Sequence, residues 1–308
     1  VVALCFPGQG SQAAGMADSL LATPATRELL AAASEHGLDL AAALGGDDDA
    51  LRPTEVAQPA LLLVCCALAS ALPGDAVSVA GVAGHSVGEY AALVAAGALQ
   101  PAAAMGLVVE RGRAMAGMRR GGMAALLGAE LEVAEEVCRA VADGGAGTVV
   151  VANVNAPGQV VLSGESAALA AAIELARQRG VRRAMPLNVS GAFHSPLMAP
   201  AAERFAALLD AAPLRDPRVP VACNVDGAAV GDAAGLRDRL RRQLTAPVRW
   251  VDCVQTLLGL GVDTLVEVGP GGVLTGLARR IAPGARALAV STLDEAQSLG
   301  ARLAAAHA

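Results

Sequence analysis

The sequence contains no lysine: all 23 of its basic residues are arginine, set against 29 acidic ones for a net charge of -6. Without an ε-amine there is no Schiff-base or pyridoxal-phosphate anchor and no phosphate-binding P-loop of the usual kind. The mildly acidic balance argues against a nucleic-acid partner. Aromatic residues make up only 2% of the chain, so its core must be packed mainly by Leu, Val and Ala. Long apolar runs are also missing. The longest, Pro59 to Leu72, falls short of the roughly 20 residues a bilayer-spanning helix needs; it reads as a buried helix closed by Pro73, and no membrane partner is expected. Six cysteines (Cys5, Cys65, Cys66, Cys138, Cys223, Cys253) show no C-x-x-C spacing and mostly occupy apolar surroundings, as small core residues in a reducing cytosol do. Four histidines without an H-E-x-x-H give no metal framework, so no metal is expected. No basic segment leads into an apolar signal at the N-terminus, so a cytoplasmic location is expected, although a chain opening on Val1 leaves room for a removed leader. No repeat of 20 to 50 residues is present.

What is present is an alternation of strand and helix signals, the mark of an α/β fold. A strand at Val1 to Phe6 meets a glycine turn, after which a helix is expected; the segment from Ala102 to Met118 predicts another helix, ended by Gly121 and Gly122. From "MAALLG" to "VRRAMPLNVS" the order becomes strand, helix, strand, strand, helix, strand, the ferredoxin-like split β-α-β pattern. The expected architecture is an α/β-hydrolase-like large subdomain with a parallel sheet (1–122 and 187–308) carrying a ferredoxin-like insert (123–186).

The chemistry centres on "GHSVG", Gly84 to Gly88. A G-x-S-x-G between a buried strand and a helix is the nucleophile elbow, whose tight turn exposes the serine hydroxyl and aims a helix N-terminus at a developing oxyanion. A serine N-cap between glycines would account for the turn but not for the second glycine. Ser86 needs a base. His85 is its neighbour, and the sharp turn sends that side chain elsewhere; His36 falls in an exposed segment and His307 in the C-terminal tail. His194 in "SGAFHSPLM" remains. Asp143 is the only aspartate between the two and lies in a glycine-rich loop, so a backbone carbonyl is the candidate to orient the imidazole. The opening "PGQGSQAAG" fits G-x-G-x-x-A, a dinucleotide turn, but such a match alone is weak.

Seven blocks in order, "PGQGSQ", "GHSVGEYAAL", "ERGRAM", "NVNAPGQVVLSG", "AFHSPLM", "RQLTAPVRW" and "EVGPGGVLTGL", resemble the malonyl-CoA:acyl carrier protein transacylases, which include the acyltransferase domains of polyketide synthases. The similarity spans nearly the whole chain. It implies that the opening turn binds no nucleotide and that the backbone amides of Gln9 and Val87 form an oxyanion hole. It implies that Arg111 holds the free carboxylate of a malonyl group, and that the backbone carbonyl of Gln243 orients His194. Phe193 beside the histidine, and Val87, resemble the malonyl-selective form. Asn153, Asn155 and Gln243 match polar positions at the cleft, although ordinary turn asparagines would look the same. The implied partners are malonyl-CoA and the phosphopantetheine arm of an acyl carrier protein, and two arginine patches could steer either ligand: Arg177, Arg179, Arg182 and Arg183 on the insert, and Arg279 with Arg280. The transfer it implies requires no cofactor, and a polyketide trans-acting acyltransferase for another dicarboxylic acyl group is the alternative within the resemblance; read from the residues alone, the alternatives are a serine acyl-thioesterase, a dinucleotide-dependent oxidoreductase and a non-catalytic carrier-binding module.

Overall fold

The structure, a computed structural model, describes residues 1–74 and 77–305. Two sheets organise it. In chain order the first half runs β1 (Val2–Phe6), α1 (Pro24–Glu35), α2 (Leu40–Leu44), α3 (Thr54–Ser70), β2 (Val79–Gly84), α4 (Gly88–Ala95) and α5 (Pro101–Ala116). The middle comprises β3 (Gly122–Leu127), α6 (Leu131–Asp143), β4 (Val149–Ala156), β5 (Gln159–Gly164), α7 (Ser166–Gln178) and β6 (Arg183–Pro186). The remainder is α8 (Ala199–Ala211), β7 (Val221–Ala222), β8 (Ala229–Val230), α9 (Ala233–Gln243), α10 (Trp250–Gly259), β9 (Thr264–Val268), α11 (Val273–Ile281), β10 (Arg286–Val290) and two short C-terminal helices.

The larger sheet has the order β10-β9-β1-β2-β7-β8. Its first five strands are parallel; β8 is antiparallel to β7, so the sheet is mixed rather than wholly parallel. Strands β1, β2 and β9 are almost continuously apolar because helices cover both faces. On one face α3, α4, α5 and α8 bury a core of Leu, Val and Ala around Phe6, Tyr90 and Phe205; on the other, α10 and α11 pack Trp250, Leu257 and Leu274. β1 lies between β2 and β9, where the chain switches direction across the sheet, and a crevice opens beyond the carboxyl ends of its strands.

The smaller sheet is antiparallel in the order β4-β5-β3-β6, with α6 and α7 on one face around Leu126, Val137 and Leu162. This is the ferredoxin-like arrangement. The edge of β4 is tied to the segment before α10: Val154 N–H donates to Val248 O (2.9 Å) and Val248 N–H to Ala152 O (2.8 Å).

Several boundaries differ from the sequence expectations. No helix follows β1 directly; Gly10 and Gly15 adopt positive φ, and the chain passes through turns and one 3-10 turn (Asp18–Leu20) before α1. The buried apolar helix α3 starts at Thr54 and carries Pro59 inside it, because Thr54, Ala57 and Gln58 are buried too and extend the packed face. Helix α5 stops at Gly117, and Gly121 with Gly122 lead into β3 instead. Among the described residues, no helix is long and apolar enough to cross a membrane. His307 lies outside the described residues.

Candidate active site

Strand β2 ends where nothing larger than hydrogen fits. A Cβ on Gly84 would lie 2.0 Å from the Gly88 carbonyl, and one on Gly88 would lie 2.2 Å from Phe6 O. The chain therefore turns sharply into α4 with Ser86 at the apex, at φ +53°, a conformation that costs a serine about 1–3 kcal/mol and persists only where neighbours enforce it. Asn224, just beyond β7, is the brace. Its Oδ1 accepts from Ser86 N–H (2.7 Å), and its Nδ2 donates to Gly84 O (2.7 Å).

His194 reaches this hydroxyl from the loop between β6 and α8. Its Nε2 lies 2.7 Å from Ser86 Oγ, while Nδ1 faces the carbonyls of Gln243 (3.1 Å) and Ala246 (3.2 Å). Two carbonyl acceptors fix the proton on Nδ1 and leave the Nε2 lone pair for the serine, so no carboxylate is needed to set the tautomer. His194 is also at positive φ (+57°), and it and Ser86 are the two non-glycine residues with positive φ among those described. Burial first, and then the nearby Arg111 charge, lower its pKa to about 3. The imidazole is therefore neutral near pH 7 and free to accept a proton.

Arg111 projects from α5 and is 1% exposed. Its Nη1 donates to Gln58 Oε1 (2.5 Å); its Nη2 donates to Ser86 Oγ (3.1 Å) and Gln243 Oε1 (2.9 Å). The guanidinium carbon sits 5.7 Å from the centre of the Tyr90 ring, and among the described residues Nε has no hydrogen-bond partner. Among the described residues, no carboxylate forms an ion pair with it. A buried cation without a counter-ion is costly, and this one touches the hydroxyl.

Ser86, His194 and Arg111 line one cavity of about 170 Å³, whose wall is otherwise mostly apolar, with Phe193, Met115, Met123 and Val161. Gln9, Val87 and Asn153 also border it. The loop bearing Gln9 presses on the serine turn: a Cβ on Gly8 would lie 2.5 Å from His85 O. Among the described residues, the N–H groups of Gln9 and Val87 have no backbone or side-chain partner. Gln9 Oε1 accepts from Thr54 Oγ1 (2.6 Å). His85 turns away from the hydroxyl, with Nε2 2.8 Å from Asn155 Oδ1 and its ring against Trp250.

Gln243 stands apart from the cavity wall. It is 1% exposed and lies behind the site, its Nε2 donating to Ser86 O (3.1 Å) and Glu89 Oε2 (2.8 Å) while Oε1 takes the Arg111 bond. Its side chain thus contacts protein groups where a substrate contact was expected.

Compared with known proteins, the chain matches the acyl transferase domain family over residues 4–299. The chain belongs to that family. Among its acyl transferase relatives, the malonyl CoA-acyl carrier protein transacylase of Bacillus subtilis (strain 168) is 41% identical over 298 residues, covering 94% of this chain and 93% of the relative. The solved malonyl-CoA:acyl carrier protein transacylase of Xanthomonas oryzae pv. oryzae is 42% identical with a TM-score of 0.90, covering 98% of each chain. A solved complex of a type II PKS acyl-carrier protein with its malonyl-transacylase gives a TM-score of 0.89 at 38% identity, over 97% of this chain and 99% of that one.

Three residues of this acyl transferase site were not singled out in the sequence: Gln58, Glu89 and Asn224. Each is a polar residue at an otherwise buried position of an apolar stretch ("VAQPALLL", "GEYAAL", "VACNVD"), which is the signal that could have found them. The arginine patches lie outside the cavity. Arg177 and Arg179 form exposed ion pairs with Glu174 and Glu136, Arg182 and Arg183 are exposed, and Arg280 donates to Gln159 Oε1 and Pro157 O in the β4–β5 turn. Arg113 pairs with Glu110 on the surface.

Proposed function

We propose that this acyltransferase moves a malonyl group from coenzyme A to the phosphopantetheine thiol of an acyl carrier protein, by way of a malonyl ester on Ser86. The observation that carries the reading is Arg111, a buried guanidinium without an acid partner, 3.1 Å from the hydroxyl that would be acylated. A malonyl carboxylate supplies the missing counter-ion, and a planar fork can hold it through two parallel bonds. An acetyl group would leave the cation unpaired at a cost of several kcal/mol.

In the first half-reaction His194 Nε2 takes the Ser86 proton as Oγ attacks the thioester carbon. The N–H groups of Gln9 and Val87 hold the oxyanion. Collapse breaks the C–S bond, and His194 returns the proton to the departing thiolate. In the second, the carrier thiol gives its proton to His194, sulfur attacks the ester carbon, and Ser86 leaves as an alcohol with that proton. Part of the weak basicity of His194 comes from Arg111, so a malonyl carboxylate on that arginine restores basicity when the proton must move. Phe193 and its apolar neighbours size the pocket for a short acyl group; a methyl branch changes binding by about 1–3 kcal/mol. Asn153 and Asn155 face the thioester arm from the insert, 123–186, while 1–122 and 187–308 carry the chemistry. Six free, buried cysteines suit a reducing compartment, and we assign the protein to the cytoplasm.

Intact-mass measurement after mixing with malonyl-CoA or acetyl-CoA tests the reading. A malonyl adduct is expected in the wild type, with none in Ser86→Ala. Equal labelling by both substrates would remove Arg111 from its role.

A further inference from the structure

Behind the site lies a carboxylate that the transfer reaction does not use. Glu89, in the first turn of α4, is 1% exposed. Its Oε2 accepts from Gln243 Nε2 (2.8 Å) and Asn224 N–H (3.3 Å), whereas Oε1 has no hydrogen-bond partner among the described residues. Gln243 has two unlike ends. With its NH₂ turned to the carboxylate and to Ser86 O, its carbonyl oxygen must face Arg111. Glu89 is thus joined to the buried guanidinium through a single oriented amide.

Resting on the malonyl-transfer reading, we propose that Glu89 is a positioning residue for the acyl clamp. Relayed through Gln243, its charge partly offsets that of empty Arg111, which still has no carboxylate in contact, and it takes up a proton from solvent when the free carboxylate of a dicarboxylic acyl group arrives. Two buried anions around one buried cation are disfavoured, and protonating the farther one restores balance. The proton leaves again when the acyl group passes to the carrier. No bond other than O–H is made or broken in this step, and the transfer itself consumes no net proton because the serine proton ends on coenzyme A.

The groups around Glu89 leave it as the one that titrates. Arg111 faces it from α5, Cys223 from beside β7, Cys253 from α10, and Tyr90 adjoins it on α4. Burial pushes both thiols and the phenol far above neutrality. Burial also raises Glu89 itself, to about 7, against the lowering effect of Gln243, Asn224, Cys223 and Arg111.

The sign follows by linkage. Malonyl favours protonated Glu89, so affinity falls as pH rises through the free-enzyme pKa and levels off above the higher pKa of the loaded enzyme. For a group titrating near 7, wild-type kcat/KM for malonyl-CoA should fall about three- to fivefold from pH 7 to pH 8. Stopped-flow with a pH indicator in weak buffer should record uptake of up to about half a proton per enzyme at pH 7 on loading. Glu89→Gln keeps the shape, removes the titration, and should show a flat profile and no uptake. A purely structural role for Glu89 would lower activity equally at both pH values. Wild type that forms the malonyl adduct without uptake, or with the same pH profile as Glu89→Gln, overturns this proposal and leaves malonyl transfer standing. Failure to form the adduct overturns the transfer reading itself. If Glu89→Gln does not fold, the two wild-type measurements decide.

Discussion

A guanidinium and an imidazole share one small cavity, and their charges set what each can do. Arg111 stays protonated at any physiological pH, while its field and the burial of His194 keep the imidazole neutral. In the free enzyme the base is therefore ready well below neutrality. Apart from any effect of Glu89, kcat/KM for malonyl loading should not decline between pH 7 and pH 5, because a general base is lost only as pH falls through its own pKa, here about 3. A loss of activity toward acid pH with a midpoint near the ordinary histidine value would contradict that environment. Removing the clamp should show in substrate choice. Arg111→Ala is expected to cost malonyl-CoA about 3 kcal/mol of transition-state binding, roughly a hundredfold in kcat/KM, with acetyl-CoA much less affected; competition between the two substrates in a mass assay reads the ratio. The meeting of Ser86 with His194 was legible in the sequence, because G-x-S-x-G carries its own local geometry and few histidines compete for the place beside the hydroxyl. Glu89 and Gln58 were not, since an acid or amide in an apolar helix reveals its purpose only when a partner 154 or 53 residues away is brought against it.

The elements fix these side chains by leaving no room for alternatives. Strand β2 and helix α4 join at glycines whose missing Cβ atoms would sit inside neighbouring backbone, and Gly8 lets the first loop lie on His85. Gly8→Ala should force the two loops apart, destabilising by about 1–3 kcal/mol and slowing serine acylation more than it weakens malonyl-CoA binding; denaturant titration and single-turnover kinetics separate the effects. Asn224→Ala strips both bonds from the turn. Buried groups left unpaired cost about 1–3 kcal/mol, and the loss should fall on kcat. Element order was readable from composition, including the ferredoxin-like middle, because hydrophobic period and glycine punctuation are local signals. Boundaries were less so: α3 runs through Pro59 and begins at Thr54 because tertiary packing buries its first turns, and the segment after β1 runs through turns, with Gln9 at the cavity wall, before α1 begins.

Across the molecule, the two sheets meet along β4 and the residues before α10. Val248 N–H is the donor of one of the two bonds there. Val248→Pro should remove it, raise hydrogen exchange in β4 without changing β1 or β9, and lower the loading rate because Asn153 and Asn155 shift with the strand. Unchanged exchange in β4 would show that the contact is incidental. Of the arginines conspicuous in the sequence, Arg177 and Arg179 pair with surface acids and Arg280 holds the β4–β5 connection, while Arg182 and Arg183 stay exposed.

Met123 and Leu187, side by side where the chain enters and leaves the smaller sheet (Leu187 N–H donates to Met123 O, 2.8 Å), both border the cavity, whereas Ser86, His194, Arg111 and Gln243 all come from outside the segment between them. Residues 124–186 contribute Asn153, Asn155 and Val161 to the cavity wall, whereas the serine, the imidazole and the arginine proposed to select the acyl group all come from the rest of the chain. Grafting residues 124–186 from a homologue would reshape one wall of the room in which an acyl group sits, at Asn153, Asn155 and Val161, and leave in place both the activated hydroxyl and the positive charge behind it.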